Sequence, residues 1–251
     1  MRACYTSRAM DSSVNRSSLR LLHPGLLVLV GSLAAGCGGS STAPPPPPPP
    51  VVVIHDTPQS TMAAFQHTYE FKDAAGFASL LAGDFYYSFS VAADPTLAAQ
   101  YGSDWKRENE ILSATHLFSG FTPSSSGIPM PGAEFIAMTL VSPQYFDDPA
   151  HADSADYYKW VTVERVVMSI EIPTTPEPVI YNIDSRHEFY LVRGDAAVLV
   201  AGQPATSNTW YIRRWDDLAV NFALARTRIA GDPSTPAAPA SWGRIKVTYY
   251  N

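Results

Sequence analysis

The spacing of the apolar residues changes near residue 133, and this change limits the fold to a narrow class. Before that point apolar residues recur every three or four positions, as Met62, Phe65 and Tyr69 do, which predicts helices with one buried face. After it they alternate with polar residues, as in strands with one buried face. Helices followed by long strands indicate the α+β class, with the helices packed on one face of a curved antiparallel sheet. The predicted strands cover residues 133–142, 157–172, 179–193 and 208–216.

Capping residues and glycines predict where the helices begin and end. Thr57 followed by Pro58 is typical of an N-cap with proline at the first helical position. Asp73 caps a second, shorter helix, and Gly83 ends it. Ser103 is the expected cap of a third helix. The predicted helices cover residues 58–72, 74–82 and 104–119, and a strand at residues 84–91 follows the second helix.

The first 37 residues have the features of a bacterial lipoprotein signal, starting at Met1 or Met10. Residues 1–36 contain four arginines and one acid. Their apolar run is about ten residues long, which is too short for the roughly 20 helical residues that cross a bilayer but suits a signal peptide. The run ends in LAAGC, which resembles the lipobox, where such signals are cut before a lipidated cysteine. Residues 1–36 are therefore a predicted signal peptide and Cys37 a predicted lipidation site; an ordinary secretory signal is the alternative.

A stiff linker follows Cys37. Residues 38–42 are small and polar, and residues 44–50 are all proline, which spans roughly 22 Å as polyproline II at about 3.1 Å per residue. Residues 37–55 are therefore predicted to hold a folded body away from a membrane surface; a proline-rich ligand for a partner is the alternative. Gly38 is not the Asp that retains many such lipoproteins at the inner membrane. The predicted location is the outer membrane, facing the periplasm.

Composition excludes several classes of function. The chain has 251 residues, of which 46% are apolar and 16% charged, so a packed core is expected. Residues 1–36 hold four of the 17 Lys and Arg and one of the 23 Asp and Glu, so the remainder carries nine more acids than bases. Such an acidic body lacks the positive charge that nucleic-acid binding needs. Both cysteines precede residue 40, which excludes disulfides within the body and metal sites built from cysteine.

Residues 56–217 resemble the nuclear transport factor 2-like, or SnoaL-like, superfamily, a cone-shaped α+β roll of the cystatin-like kind with an interior pocket. Three segments carry the resemblance: TPQSTMAAFQHTYEFKD, AAGFASLLAGDFYYSFS and WYIRRWDD. The closing SWGRIKVTYY is similar to the tails of uncharacterised lipoproteins with this fold. The superfamily includes ketosteroid isomerase, scytalone dehydratase, polyketide cyclases and many noncatalytic binding or assembly domains, so the resemblance implies a fold and not an activity. It also implies a homodimer formed through the open face of the sheet.

Two predicted strands direct titratable side chains toward the expected pocket. Alternation places His187 on the apolar face of its strand, together with Tyr181. The same alternation in residues 157–172 places Glu164 inward, on the face of Trp160. A carboxyl group among apolar side chains is suited to general acid or base work near neutral pH. A bulge in this long strand would instead turn Glu164 outward. Trp160, Tyr181 and, from the third helix, Asn109 are the predicted ligand contacts.

The third helix adds His116 and Asn109 to the same side, because 100° per residue brings both near Trp105. One hypothesis is that Glu164, His187 and His116 transfer protons on a small apolar substrate, in an isomerase, dehydratase or cyclase. The alternative is that His187 is a hydrogen-bonded core residue. In the same noncatalytic interpretation, the dipole at the C-terminal end of the third helix stabilises His116.

Together these features predict a lipid-anchored cell-envelope protein, bound to the membrane through lipid on Cys37. Its body, residues 56–251 with a C-terminal extension from about residue 218, is predicted to be a single noncatalytic domain for small-ligand binding or assembly. Proton-transfer catalysis on a small apolar substrate is the alternative. No cofactor or metal is predicted, since the acidic loop at residues 147–156 lacks the glycine turn and final glutamate of a calcium loop. The short apolar end of the chain is expected to dock on the body.

Overall fold

The computed structural model describes residues 54–102, 104–194, 199–200, 203–204, 206, 208–218, 228–229 and 241–250. The predicted signal peptide, Cys37 and the proline run lie outside these residues. The described residues belong to one compact unit, Pro50–Asn251. The helices are α1 (Pro58–Glu70), α2 (Ala74–Leu80), α3 (Pro95–Tyr101), α4 (Arg107–Ser119), a 3-10 helix (Pro149–Ser154) and α5 (Trp242–Tyr250). Within the described segments, none of these helices has the length and apolar character to cross a bilayer.

The strands form one large sheet and one small hairpin. They are β1 (Leu81–Ser88), β2 (Phe135–Val141), β3 (Gln144–Asp147), β4 (Tyr158–Ile172), β5 (Val179–Arg193), β6 (Leu199–Val200), β7 (Gln203–Pro204), β8 (Trp210–Leu218) and β9 (Arg228–Ile229). The large sheet has the order β1-β8-β5-β4-β2, with β3 paired to β4 and β9 paired to β5. Within the described residues, β6 and β7 pair with each other and with no other strand. Helices packed on one face of a curved sheet confirm the predicted α+β class.

The prediction of a purely antiparallel sheet is wrong at one edge, because β1 pairs with β8 in parallel. A hairpin forces its two strands to be antiparallel, and β4 and β5 are joined by such a turn. Strand β1 has no hairpin partner, since it follows α2 without a break and joins a strand far along the chain. No hairpin therefore dictates its direction.

The helix caps agree with the sequence at two of three positions. The Thr57 hydroxyl accepts a hydrogen bond from the backbone N–H of Ser60 at 3.0 Å, with Pro58 at the start of α1. The Asp73 carboxylate caps α2 in the same way. The third predicted helix begins at Arg107 and not at 104, and its N-cap, Lys106, makes no side-chain cap hydrogen bond.

Aromatic side chains fill the space between the helices and the inner face of the sheet. Phe65 of α1 packs edge-on against Trp215 of β8 at 5.0 Å between ring centroids and against Phe189 of β5 at 5.2 Å. Helix α5 docks on the same core and buries Trp242. A Cβ at Gly243 would lie only 2.6 Å from Phe89, so a glycine is needed for this close approach. The apolar end of the chain thus docks on the body, as the sequence predicts.

Candidate functional site

A bulge interrupts β4 where the sequence predicted an inward carboxylate. The pairing with β5 shifts by one residue between Val163 and Val166, and both of these residues are buried. Glu164 and Arg165 occupy the extra space and are exposed. The prediction that Glu164 points inward is therefore wrong. Trp160 was predicted to point inward as well, but it lies on the outer face, where its ring centroid is 5.4 Å from that of Phe146.

His187 lies on the inner face of β5, as alternation predicts, and is 1% exposed. The indole Nε1–H of Trp215 donates to its Nδ1 at 2.9 Å, so the ring proton is on Nε2. Nε2 then donates to the Ser185 hydroxyl at 2.7 Å. Burial, reinforced by the positive charge of Lys246, lowers the pKa of His187 to about 3. The imidazole is therefore neutral at physiological pH, and both its nitrogens are engaged within the protein.

An ion pair between Glu110 of α4 and Lys246 of α5 lies beside His187 in the interior. The two side chains are 1% and 2% exposed. The Trp105 indole N–H donates to the other oxygen of Glu110 at 2.7 Å. The Tyr69 hydroxyl also hydrogen-bonds this carboxylate, while burial raises the pKa of Tyr69 well above its usual value. Both carboxylate oxygens of Glu110 therefore have a partner within the protein.

Three aromatic rings surround the ammonium group of Lys246. Its Nζ lies 3.9 Å from the ring centroid of Trp215, 4.5 Å from that of Tyr87 and 4.8 Å from that of Trp242. We call these three rings together with Glu110 the ammonium cage. Burial lowers the pKa of Lys246 to about 8, although the charge of Glu110 opposes this shift. Lys246 remains mainly protonated at neutral pH.

A second carboxylate, Asp217 of β8, borders the cage. The Tyr87 hydroxyl donates to its Oδ2 at 3.2 Å. Burial, followed by the negative charge of Asp217, raises the pKa of Tyr87 well above its usual value. Asp217 also interacts electrostatically with Lys246. One ammonium group and two carboxyl groups therefore lie close together in the interior, among aromatic rings.

The other predicted site residues lie away from this centre. His116 donates from Nδ1 to the Tyr249 carbonyl at 2.7 Å and stacks on Phe121, so it holds the end of α5. Asn109 is half-buried and donates to the Asp104 carbonyl at 3.4 Å. Tyr181 is partly buried against the core. These three side chains make their contacts elsewhere in the body and not with His187.

The sequence analysis missed both members of the buried ion pair, although each had a signal. Glu110 shares the buried stripe of α4 with Arg107 and with residues 113, 114, 117 and 118, at helical spacing. Lys246 shares the buried stripe of α5 with residues 242, 245 and 249. A charged residue on a stripe of mainly apolar or small residues indicates a buried charge with a partner.

The chain matches no known family model and no curated protein sequence. Among solved structures it is similar to an NTF2-like protein with a cystatin-like fold from Novosphingobium aromaticivorans, at 11% identity over 65% of this chain and 79% of the other, with a TM-score of 0.34. It is also similar to hexachlorocyclohexane dehydrochlorinase LinA type 2, at 9% identity over 70% and 92% of the two chains, with a TM-score of 0.41. The hub homology domain of CamKII from Chlamydamonas reinhardtii matches at 12% identity over 64% and 95%, with a TM-score of 0.38. These proteins include an enzyme and a hub domain, and the similarity assigns neither role to this chain.

Proposed function

We propose that the protein is a lipid-anchored cell-envelope protein whose folded body is noncatalytic and works by assembly with a second copy. The observation that carries this proposal is the Glu110–Lys246 ion pair within the ammonium cage. The interior of the roll, where a substrate would have to bind, is occupied by a side chain of the protein itself. A domain filled in this way acts through its surface.

The alternative, proton transfer by Glu164 and His187, has less support. Glu164 is exposed at the bulge, whereas His187 is buried on the inner face. The pKa of about 3 keeps His187 neutral, and a base with so low a pKa is poorly matched to work at neutral pH. Both ring nitrogens would also have to break a hydrogen bond before they could reach a substrate.

The outer face of the sheet supports assembly with a second copy. Arg186 pairs with Glu188 at 3.2 Å along β5, and Arg214 pairs with Asp216 at 2.6 Å along β8. The guanidinium of Arg214 also lies 4.7 Å from the ring centroid of Tyr190. Both signs of charge alternate on this face, so a copy related by a two-fold axis can place each charge opposite its complement.

The lipid anchor is tested by labelling cells that express the full chain with radioactive palmitate. Cys37→Ser should abolish labelling and release the protein from the membrane fraction. Cys4→Ser is the matched control, because it removes the other cysteine and should leave labelling unchanged. Equal labelling of Cys37→Ser and the wild type would refute the anchor.

Assembly is tested by native mass spectrometry of the full-length protein in detergent. The wild type should give a dimer, and Arg214→Glu should reduce the dimer fraction at least tenfold by placing like charges together. Arg213→Glu, next along the strand and paired with Asp84, is the control and should retain the dimer. A monomeric wild type, or equal effects of the two reversals, would contradict the proposed surface.

A further inference from the structure

The ammonium cage has the chemistry of a site for an organic cation. A cation over the faces of tryptophan and tyrosine is attracted by the ring quadrupole, and this attraction is strongest when the cation is desolvated. Lys246 is desolvated here, and Glu110 adds a full opposite charge with hydrogen bonding. The site therefore recognises an ammonium group by charge and by shape together.

Most of the cage belongs to the body and not to α5. Tyr87 lies on β1, Trp215 and Asp217 lie on β8, and Glu110 lies on α4. Each is held by the body itself: Trp215 by its bond to His187, Glu110 by its bond from the Trp105 indole, and Tyr87 by its bond to Asp217. Helix α5 supplies only Trp242 and the cation. The cation-binding part is therefore complete without α5 except for one ring.

Helix α5 sits on the body as a bound peptide would. Outside the cage it is held by polar contacts: Arg244 pairs with Asp94 at 2.5 Å, and the Ser113 hydroxyl donates to the Lys246 carbonyl at 2.8 Å. His116 donates to the carbonyl of Tyr249 at 2.7 Å. Lys246 is then a ligand whose effective concentration is raised by its attachment to the same chain.

We propose that the interior of the roll is a binding site for a primary alkylammonium group, which Lys246 occupies as an attached ligand. A free alkylamine takes the same place beside Glu110 when Lys246 is removed, whereas Lys246 keeps it out of the intact protein. This site goes beyond the proposed function and depends on neither the lipid anchor nor the dimer, so its failure would leave both standing.

The test measures the binding of n-butylammonium to the full-length protein. Tryptophan fluorescence reports this binding, because Trp215 and Trp242 line the cage. Lys246→Ala should bind n-butylammonium saturably, and at least tenfold more tightly than it binds the neutral n-butanol. The wild type should bind it at least tenfold more weakly than Lys246→Ala, because Lys246 competes. Adding Glu110→Gln to Lys246→Ala should weaken binding at least tenfold. Lys246→Met, whose side chain fills the same space, is the control and should not bind.

Each other result overturns the proposal. If Lys246→Ala bound n-butylammonium and n-butanol with equal affinity, the cavity would recognise the alkyl chain and not the charge. Equal affinity of the wild type and Lys246→Ala, or binding to Lys246→Met, would place the amine elsewhere. If Lys246→Ala is unfolded without ligand, recovery of the far-ultraviolet circular dichroism by n-butylammonium and not by n-butanol is the expected result. Absence of that recovery would refute the site.

Discussion

Similar polar residues lie against the two faces of the central sheet in opposite surroundings. Against the inner face, Lys246 of α5 and Glu110 of α4 pair at 2% and 1% exposure, and His187 of β5 is neutral and fully hydrogen-bonded. On the outer face, Arg165 and Asp184 pair at 51% and 37% exposure. An exposed pair is surrounded by water whether or not it forms, whereas a buried pair has lost that water and depends on its partner. The buried inner groups should therefore be sensitive to substitution, and the exposed Arg165–Asp184 pair insensitive.

Acidification should give the largest effect. The folded pKa of His187 is about 3, against an ordinary value of 6.5, because of burial and then the charge of Lys246. The unfolded chain therefore binds the proton first, so stability is intact above pH 6.5 and falls as the pH drops toward 3. The full loss is about 5 kcal/mol, from about 1.36 kcal/mol per unit of pKa.

This loss is measured by urea unfolding at several pH values, with His187→Gln as the control. The glutamine keeps a donor and an acceptor but does not titrate, so the carboxylates contribute equally to both proteins. The wild type should lose stability more steeply between pH 6 and 4. Parallel curves for the two proteins would show that His187 is not buried in its neutral form.

Removing one partner of the inner ion pair should be the next largest effect. Glu110→Gln leaves the Lys246 ammonium buried without its counter-charge, and we expect a loss of about 3–5 kcal/mol in the free energy of unfolding. The double variant Glu110→Leu, Lys246→Met should recover most of that loss, because no buried charge remains. Denaturant unfolding of both proteins checks this. A double variant no more stable than Glu110→Gln would contradict the explanation.

Trp215→Phe should have an intermediate effect. It keeps an aromatic ring in the core but removes the donor to His187 Nδ1, which should lower stability by about 1–3 kcal/mol. Trp160→Phe on the outer face is the matched control, because the Trp160 indole N–H has no hydrogen-bond partner among the described residues. Thermal unfolding should show a clear decrease for the first variant and little change for the second. Equal decreases would mean that ring size, and not the hydrogen bond, matters.

Arg165→Ala should have the smallest effect. Its hydrogen bonds to Asp184, at 3.0 and 2.6 Å, join two exposed side chains at the bulge. The hydrogen bond from Arg165 lowers the pKa of Asp184, which shows contact but not stabilisation. We expect no measurable change in the unfolding midpoint. A decrease as large as that of Glu110→Gln would remove the contrast between the two faces.

Some of the site could be predicted from sequence because it depends on local periodicity. The alternation of β5 places His187 inward, and the buried residues alternate without interruption from Ile183 to Leu191. The same reasoning failed for Glu164, since one extra residue in β4 reverses the orientation of every side chain before it. A bulge depends on how the strand curves against its neighbours, and the residues around Glu164 do not predict its position.

The partner of Glu110 could not be predicted from the sequence, although its buried position could. Lys246 lies 136 residues further along the chain, in the last helix. Each stripe shows a charge that needs a partner, but the pairing requires α4 and α5 to meet. The same holds for Trp215, whose ring contacts His187 because β8 lies beside β5, and Lys246 because α5 docks on the core.

The sequence by itself determined the α+β class, the order of most elements and the caps of the first two helices, because these follow from hydrophobic period and short-range hydrogen bonds. The tertiary structure decided the direction of β1, the outward turn of Glu164 and the filling of the interior by Lys246. Those features arise from contacts between residues far apart in the chain. The energies of these contacts depend on which groups are buried next to one another, and only the packed structure determines that.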